Sequence, residues 1–333
     1  MTAVRMGMLP WDNTHWFKDA SAWIHTQLTG QGMQITQEVE ILHQRAWSTF
    51  ARVNTDRGVA YFKASSPYDR FEAALTAAMW RWRPDITAPV LAIEPEEGWL
   101  LTSDAGITMR EFERSPAQVG HWLKILPRYA DLQMQMLEKI PELLQMGLPD
   151  RRLAALPNLF NQLTESANLR TGQNPGLTHE EYRQLQEIKP RFAAECAHLA
   201  SYNIPETLTH EEVTEVNLLV RGDRYILTDW SEASICHPFF SMLTTVRTLI
   251  FWTGLDENGP ELARLLDAYL EPWTRYETRG KINSAYQLAF RLAMANRAIS
   301  WDQGTGSLAP KHKEPYADAV PGWLRDYLTA DGR

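Results

Sequence analysis

Four residues have the types and spacing to do chemistry together: His210, Glu212, Asn217 and, twelve residues after that Asn, Asp229. A carboxylate able to accept a proton, with an amide and a second carboxylate able to hold a hard cation, suits phosphoryl transfer from a magnesium nucleotide. The flanking residues predict how they are placed. Leu218-Leu219-Val220 and Tyr225-Ile226-Leu227-Thr228 are short apolar runs around Arg221-Gly222-Asp223-Arg224, which reads as a β-hairpin with a polar loop of roughly four residues. If Val220 faces Tyr225, the ladder puts Asn217 opposite Thr228, with Asp229 a near-diagonal neighbour within roughly 7–8 Å. Alone, Asn217 reads equally as a loop cap and Asp229 as a strand end. Together at this spacing they read as a pair of Mg²⁺ ligands, since Mg²⁺ takes one or two protein oxygens and the rest from water and phosphates.

The segment from Thr209 to Leu243 resembles the aminoglycoside phosphotransferase family, within the protein-kinase-like superfamily that also holds choline and fructosamine kinases. The family pattern is His-x-Asp-x-x-x-x-Asn, a hairpin, Asp-Trp-x-x-Ala, and a Pro before a helix. His210, Asn217, Asp229-Trp230, Ala233 and Pro238 supply it here. The sequence departs at Glu212, where the pattern has Asp, and at Ser241, where many members carry a helix-anchoring Asp. The resemblance implies a catalytic set of Glu212, Asn217 and Asp229, Mg²⁺ on Asn217 and Asp229, and His210 as a buttress of the loop. Glu and Asp have similar ordinary acidities, so acidity is not the difficulty at Glu212. Position is, because a displacement of about 1 Å can cost on the order of 10²-fold in rate.

Upstream, Gly58-Val-Ala-Tyr-Phe-Lys63-Ala reads as a strand paired with Ser48-Thr49-Phe-Ala-Arg-Val53 across a turn at residues 54–58. A lysine in a buried strand needs a partner, because desolvating its ammonium is costly. Phe71, Leu75, Ala78, Met79 and Trp82 recur at helical spacing between Pro67 and Pro84, with Glu72 in the first turn. By the resemblance, Lys63 and Glu72 form the ion pair that anchors nucleotide phosphates. The resemblance also places the nucleotide loop at residues 43–49, with Ser48 and Thr49 at its end. It puts an adenine-reading hinge at about Leu101 to Ser103, after a hairpin that turns at residues 94–98. The loop has no glycine, as is common among the relatives.

Composition sets bounds. A chain of 333 residues is long for one core and suits two domains. A net charge of −8 argues against nucleic acid as a partner and suits a cationic acceptor. Two cysteines forty apart form no redox or zinc pair, and no P-loop or His-Glu-x-x-His motif is present. Residues 1–6 are too polar and short for a targeting core, and no apolar run suggests a membrane span, so a cytoplasmic setting is expected. The second half carries helical periodicity over 117–140, 152–169, 178–201, 239–252, 260–276, 282–301 and 316–328. Gly304-Thr-Gly-Ser307 reads as a flexible connector. Trp252, Trp273, Tyr276 and Asp302 are candidates for lining an acceptor pocket.

The expected fold is α+β and protein-kinase-like: a small, mainly antiparallel β N-lobe with one helix (1–106, nucleotide-binding), then a large, mainly α-helical C-lobe (107–333) with the catalytic hairpin and acceptor site. The expected activity is transfer of the γ-phosphate of ATP or GTP, with Mg²⁺, to a hydroxyl of an aminoglycoside-, aminoalcohol- or sugar-like molecule. The alternative is a weak or inactive kinase-like protein that binds nucleotide or metabolite, with Glu212 as the mark of a lost active site.

Overall fold

The computed structural model describes residues 8–115 and 117–330. Residues 1–6, read above as no targeting core, lie outside the described residues. The chain divides into two compact units. The first takes Met1–Ile107, Leu218–Ser231 and Ser307–Pro315; the second takes Thr108–Asn217, Glu232–Gly306 and Tyr316–Arg333. Among the described residues no helix is long and apolar enough to cross a membrane.

The first unit is built on a five-stranded antiparallel sheet: β1 (Glu40–Gln44), β2 (Ser48–Thr55), β3 (Gly58–Ser65), β4 (Val90–Glu94) and β5 (Trp99–Ser103), in the order β1-β2-β3-β5-β4. Alternation along β3 sends Ala60, Phe62 and Ala64 into a core shared with Val53, Trp99 and Leu101, and so puts Lys63 on the opposite face. That core is covered by helix α1 (Trp16–Gly30), not anticipated from the sequence, whose Trp16, Ala20, Ile24 and Leu28 make a buried stripe at four-residue intervals. Helix α2 (Phe71–Trp82) starts later than Pro67 because residues 67–70 form a turn, and Pro84 stops it by disfavouring helical geometry at Arg83.

The strands Leu218–Arg221 and Arg224–Leu227 pair antiparallel, with Val220 opposite Tyr225 as the apolar pattern requires. Arg221 and Arg224 also pair, so the loop is only Gly222-Asp223 rather than four residues. Gly222 has φ +59° and is the only positive-φ residue of the two, the pattern of a type II′ turn. Within the first unit this hairpin is tied to the segment after α2: Leu227 N–H donates to Ile86 O at 2.8 Å, and Arg224 donates to Pro84 O at 2.8 Å. Gly106, at φ +128°, lets the chain pass against the hairpin, since a Cβ there would collide with the Val220 carbonyl.

The second unit is mainly helical, with one small antiparallel pair, Thr207–Thr209 with Ser234–Cys236. Its helices include Gln118–Gln135, His179–Glu187, Lys189–Ala200, Met242–Thr253 and Arg279–Gly306. The stretch expected as one helix over 178–201 is two, broken at Ile188 where Pro190 suits the start of a new helix. Gly304-Thr-Gly, expected as a connector, instead forms the end of the helix Arg279–Gly306. That helix is buried on all sides from Leu292 to Ser300, because its small and apolar residues allow close packing. Asn296 and Arg297 interrupt the apolar run, and buried polar groups of that kind require partners.

Candidate functional site

In the first unit, Lys63 from β3, Glu72 from α2 and Asp229 from the end of the hairpin converge. Lys63 Nζ donates to Glu72 Oε1 at 2.7 Å and to Asp229 Oδ1 at 2.6 Å. Ser65 Oγ donates to Glu72 Oε2 at 2.7 Å, and Ser231 Oγ to Asp229 Oδ1 at 2.7 Å. The Lys63–Glu72 ion pair expected from the sequence is formed; the direct contact with Asp229, 166 residues away, was not foreseen. Burial works against the Lys63 ammonium, but Asp229 and Glu72 outweigh it and raise the lysine's pKa. Burial, with the Asp229 charge, pushes Glu72 up against the pull of Lys63. Asp229 adopts φ +62°, a left-handed conformation that Asp tolerates better than most residues and that is often held at functional sites.

Lys63 thus faces two carboxylates, Glu72 and Asp229. The Asp229 side chain is the open member, 39 % exposed against 2 % for Glu72. Its oxygens are of the hard kind that small divalent cations take. Among the described residues no group of three or more His, Cys, Asp or Glu is placed to hold a metal. A cation at Asp229 would therefore rely on few protein oxygens, which Mg²⁺ accepts.

Ser48 and Thr49 open β2 just after the turn at residues 45–47, which Arg45 N–H closes by donating to Ser48 O at 2.8 Å. Both are buried, and the Thr49 hydroxyl has no hydrogen-bond partner among the described residues. Leu101 is buried on an inner strand of the sheet, opposite Phe62 on one side and Ala92 on the other. Ser103 ends that strand, and its N–H donates to Pro89 O at 2.9 Å. Near the loop, burial and the charges of Arg45 and Lys63 lower the pKa of His43, favouring a neutral imidazole.

In the second unit, the segment from His210 to Asn217 follows the short strand Thr207–Thr209. His210 is fully buried: its N–H donates to the Tyr129 hydroxyl at 2.9 Å, and its Nδ1 accepts from Glu212 N–H at 3.1 Å. These contacts shape the loop. Asn217 Nδ2 donates to Glu212 O at 3.0 Å, which bridges the two ends of the segment. Glu211 is a buried hub that accepts from Arg151 Nη1 at 2.7 Å, Ser234 Oγ at 2.8 Å and Asn296 Nδ2 at 2.8 Å. Glu212 points a half-open carboxylate at Arg297, whose Nη2 donates to its Oε1 at 2.9 Å. Arg297 also donates to Glu232.

Sequence reasoning missed Arg151, Glu232, Asn296 and Arg297. The available signal was the polar pair Asn296-Arg297 inside an otherwise small and apolar helical run. Of the proposed pocket residues, Trp273 is fully buried against Phe239 and Tyr276 and so cannot line an open pocket. Asp302 accepts from Asn168 Nδ2 at 2.7 Å and from Ser166. Trp252 is exposed, with the Arg110 guanidinium 3.9 Å over its ring. His237, fully buried, caps the turn that leads into Met242–Thr253 by accepting from Phe239 N–H at 3.3 Å, and burial drives its pKa down to about 3.

No protein-family model matches the sequence, and none of the curated proteins does. Solved structures do match. The chain is similar to a choline/ethanolamine kinase family protein from Mesorhizobium loti, at 15 % identity and TM-score 0.62, with 94 % of each chain covered. It is similar to an ethanolamine kinase from Plasmodium vivax, at 13 % identity and TM-score 0.59, covering 89 % of this chain and 82 % of that one. It is also similar to a macrolide 2′-phosphotransferase from Brachybacterium faecium, at 15 % identity and TM-score 0.53, covering 90 % of this chain and 97 % of that one. The expected resemblance is thus present in the fold, which is α+β and of the protein-kinase-like kind.

Proposed function

We propose that this chain is a phosphotransferase that moves the γ-phosphate of ATP to a hydroxyl of a small molecule of aminoglycoside, aminoalcohol or sugar type. The observation that carries the proposal is the buried Lys63 held between Glu72 and Asp229, 2.7 Å and 2.6 Å away. A strand lysine fixed by a helix glutamate and adjoining an exposed aspartate is the arrangement kinases use to anchor phosphates beside their metal. The neighbours named for ethanolamine, choline and macrolides support an alcohol acceptor. An acidic chain, at net −8, agrees with a cationic one.

In this reading the nucleotide belongs to residues 1–106, with Lys63 on its phosphates, Glu72 holding Lys63, and Ser48, Thr49, Leu101 and Ser103 around the rest. Leu101 would contribute shape, since its position inside the sheet leaves little backbone to offer. Asp229 would hold Mg²⁺, and the amide nitrogen of Asn217, the other ligand expected from the sequence, is bonded to Glu212 O. When bound, the magnesium nucleotide supplies the phosphoryl group and the positive charge that offsets its oxygens. Glu212 orients the acceptor hydroxyl and takes its proton on a carboxylate oxygen. Residues 107–333 would supply the acceptor site.

The test is transfer from ATP to a panel of amino alcohols, aminoglycosides and sugars, read as acceptor-dependent ADP release. Glu212→Gln should abolish release yet keep nucleotide binding. A second reading is favoured by Glu212 standing where the family pattern has Asp: a kinase-like protein that binds nucleotide without transferring phosphate. Nucleotide binding with no turnover on any acceptor would select it.

A further inference from the structure

We propose that Arg297 is the positioning residue for Glu212, and that it makes a glutamate workable where related sequences use aspartate; this inference rests on the phosphotransferase reading. Glutamate carries one more rotatable bond than aspartate, so its carboxylate has more freedom to lose before it can meet a hydroxyl in one geometry. Arg297 removes that freedom. Its side chain is 3 % exposed, and its Nη2 donates to Glu212 Oε1 at 2.9 Å. The guanidinium is itself fixed: its other terminal nitrogen is bound to Glu232, and it lies 5.9 Å from the centroid of the Trp323 ring. Glu211 Oε2 is 3.9 Å away, beyond hydrogen-bond range, and accepts from Asn296 Nδ2 at 2.8 Å, so the hydrogen bonds of Arg297 go to Glu212 and Glu232.

The planar fork of an arginine suits this double engagement; lysine, a point charge, would serve one carboxylate and release the other. The polar pair Asn296-Arg297 in a buried helix thereby has a role beyond packing. Asn296 ties down Glu211 at 2.8 Å, the residue before Glu212, while Arg297 ties down Glu212 itself. The carboxylates of Glu211 and Glu212 are both held from one helical turn.

Restoring the family's aspartate by Glu212→Asp shortens the side chain by one carbon–carbon bond, about 1.5 Å. The carboxylate then leaves the reach of Arg297, and kcat should fall roughly 10- to 100-fold instead of rising. Arg297→Gln should lower kcat to a similar degree, with KM for ATP within about twofold, because the group acts on chemistry and not on nucleotide binding. In the Glu212→Asp background, Arg297→Gln should add almost nothing, since the contact is already gone. Arg297→Lys keeps a buried cation and controls for folding; it should recover part of kcat. Carbodiimide labelling of Glu212, read by peptide mass, reports the clamp without turnover: Arg297→Gln should increase it several-fold. Additive losses in the double variant, a faster Glu212→Asp enzyme, or unchanged labelling would each overturn the proposal. A labelling change with no turnover by the wild-type chain on any acceptor would instead sink the phosphotransferase reading, and with it the catalytic meaning of the clamp.

Discussion

Replacing Lys63 by methionine tests the buried centre of the first unit. The Lys63 and Glu72 side chains are 11 % and 2 % exposed, so little screening by water softens their interaction. Removing one member of such a pair strands the other charge and costs about 3–5 kcal/mol. Asp229, at 39 % exposure, can be hydrated and adds little to the loss. Unfolding entropy of about 2.1 cal/mol/K per residue gives about 0.7 kcal/mol/K over 333 residues, so melting should drop by about 4–7 °C if the chain unfolds as one. The loss depends on pH with a definite sign. Glu72 is already raised by burial, and without Lys63 it rises further. A folded-state pKa above the unfolded one gives stability that is complete at low pH and lost as pH rises through the folded value. The deficit of Lys63→Met should therefore be small near pH 5 and largest near pH 8. Adding Glu72→Gln removes the stranded charge and should recover most of it. Differential scanning calorimetry at several pH values is the assay. A variant within about 1 °C of wild type, or a deficit flat in pH, would refute the electrostatic account of this triad.

Other predictions concern the frame around the triad. Asp69, buried at the start of α2 with Ser66 Oγ donating to it at 2.7 Å, has its pKa pushed by burial to about 7 from 3.8. Its contribution is complete below the unfolded value and lost as pH rises through about 7, so Asp69→Asn should be neutral near pH 4 and stabilising near pH 8, by at most about 4 kcal/mol. Equal melting temperatures at both pH values would contradict that burial. Gly106→Ala drives a Cβ into the Val220 carbonyl at a left-handed φ of +128° and should cost about 2 kcal/mol or more, read by urea denaturation; a neutral result would mean the hairpin can shift away. Asp12 is held at a pKa of about 2 against its burial by Lys311 and His312. Asp12→Asn should therefore destabilise the chain near pH 7 and matter progressively less as pH falls toward 2, the reverse of the Asp69 case.

Much of the fold near the candidate site was legible, for local reasons. Two apolar runs around a Gly-Asp turn dictate the register of Val220 against Tyr225, because a one-residue slip would expose Leu218 and Val220. Lys63 and Glu72 could be paired because a strand lysine next to core residues needs a partner and the following helix offers one. The loop length was overestimated because Arg221 and Arg224 are polar yet still pair at the exposed end of a hairpin. Gly304 and Gly306 were read as breakers, but packing of the long helix outweighs the cost of glycine at its end. What stayed hidden depends on tertiary contacts alone. Nothing near Glu212 in the sequence signals Arg297, 85 residues on, and nothing near Lys63 signals its contact with Asp229.

The central claim, a magnesium–nucleotide site at Lys63 and Asp229, is tested most directly by thermal melting of wild type and Asp229→Asn with and without millimolar Mg²⁺·ATP. Asparagine keeps the shape and tolerates the left-handed backbone, so only the charge is lost. Ligand at a hundredfold over its Kd stabilises by about 2.7 kcal/mol, or about 4 °C for a chain of this size. The account predicts such a rise in wild type, dependent on Mg²⁺ and absent from Asp229→Asn. No rise in wild type, or the same rise in the variant, would contradict it.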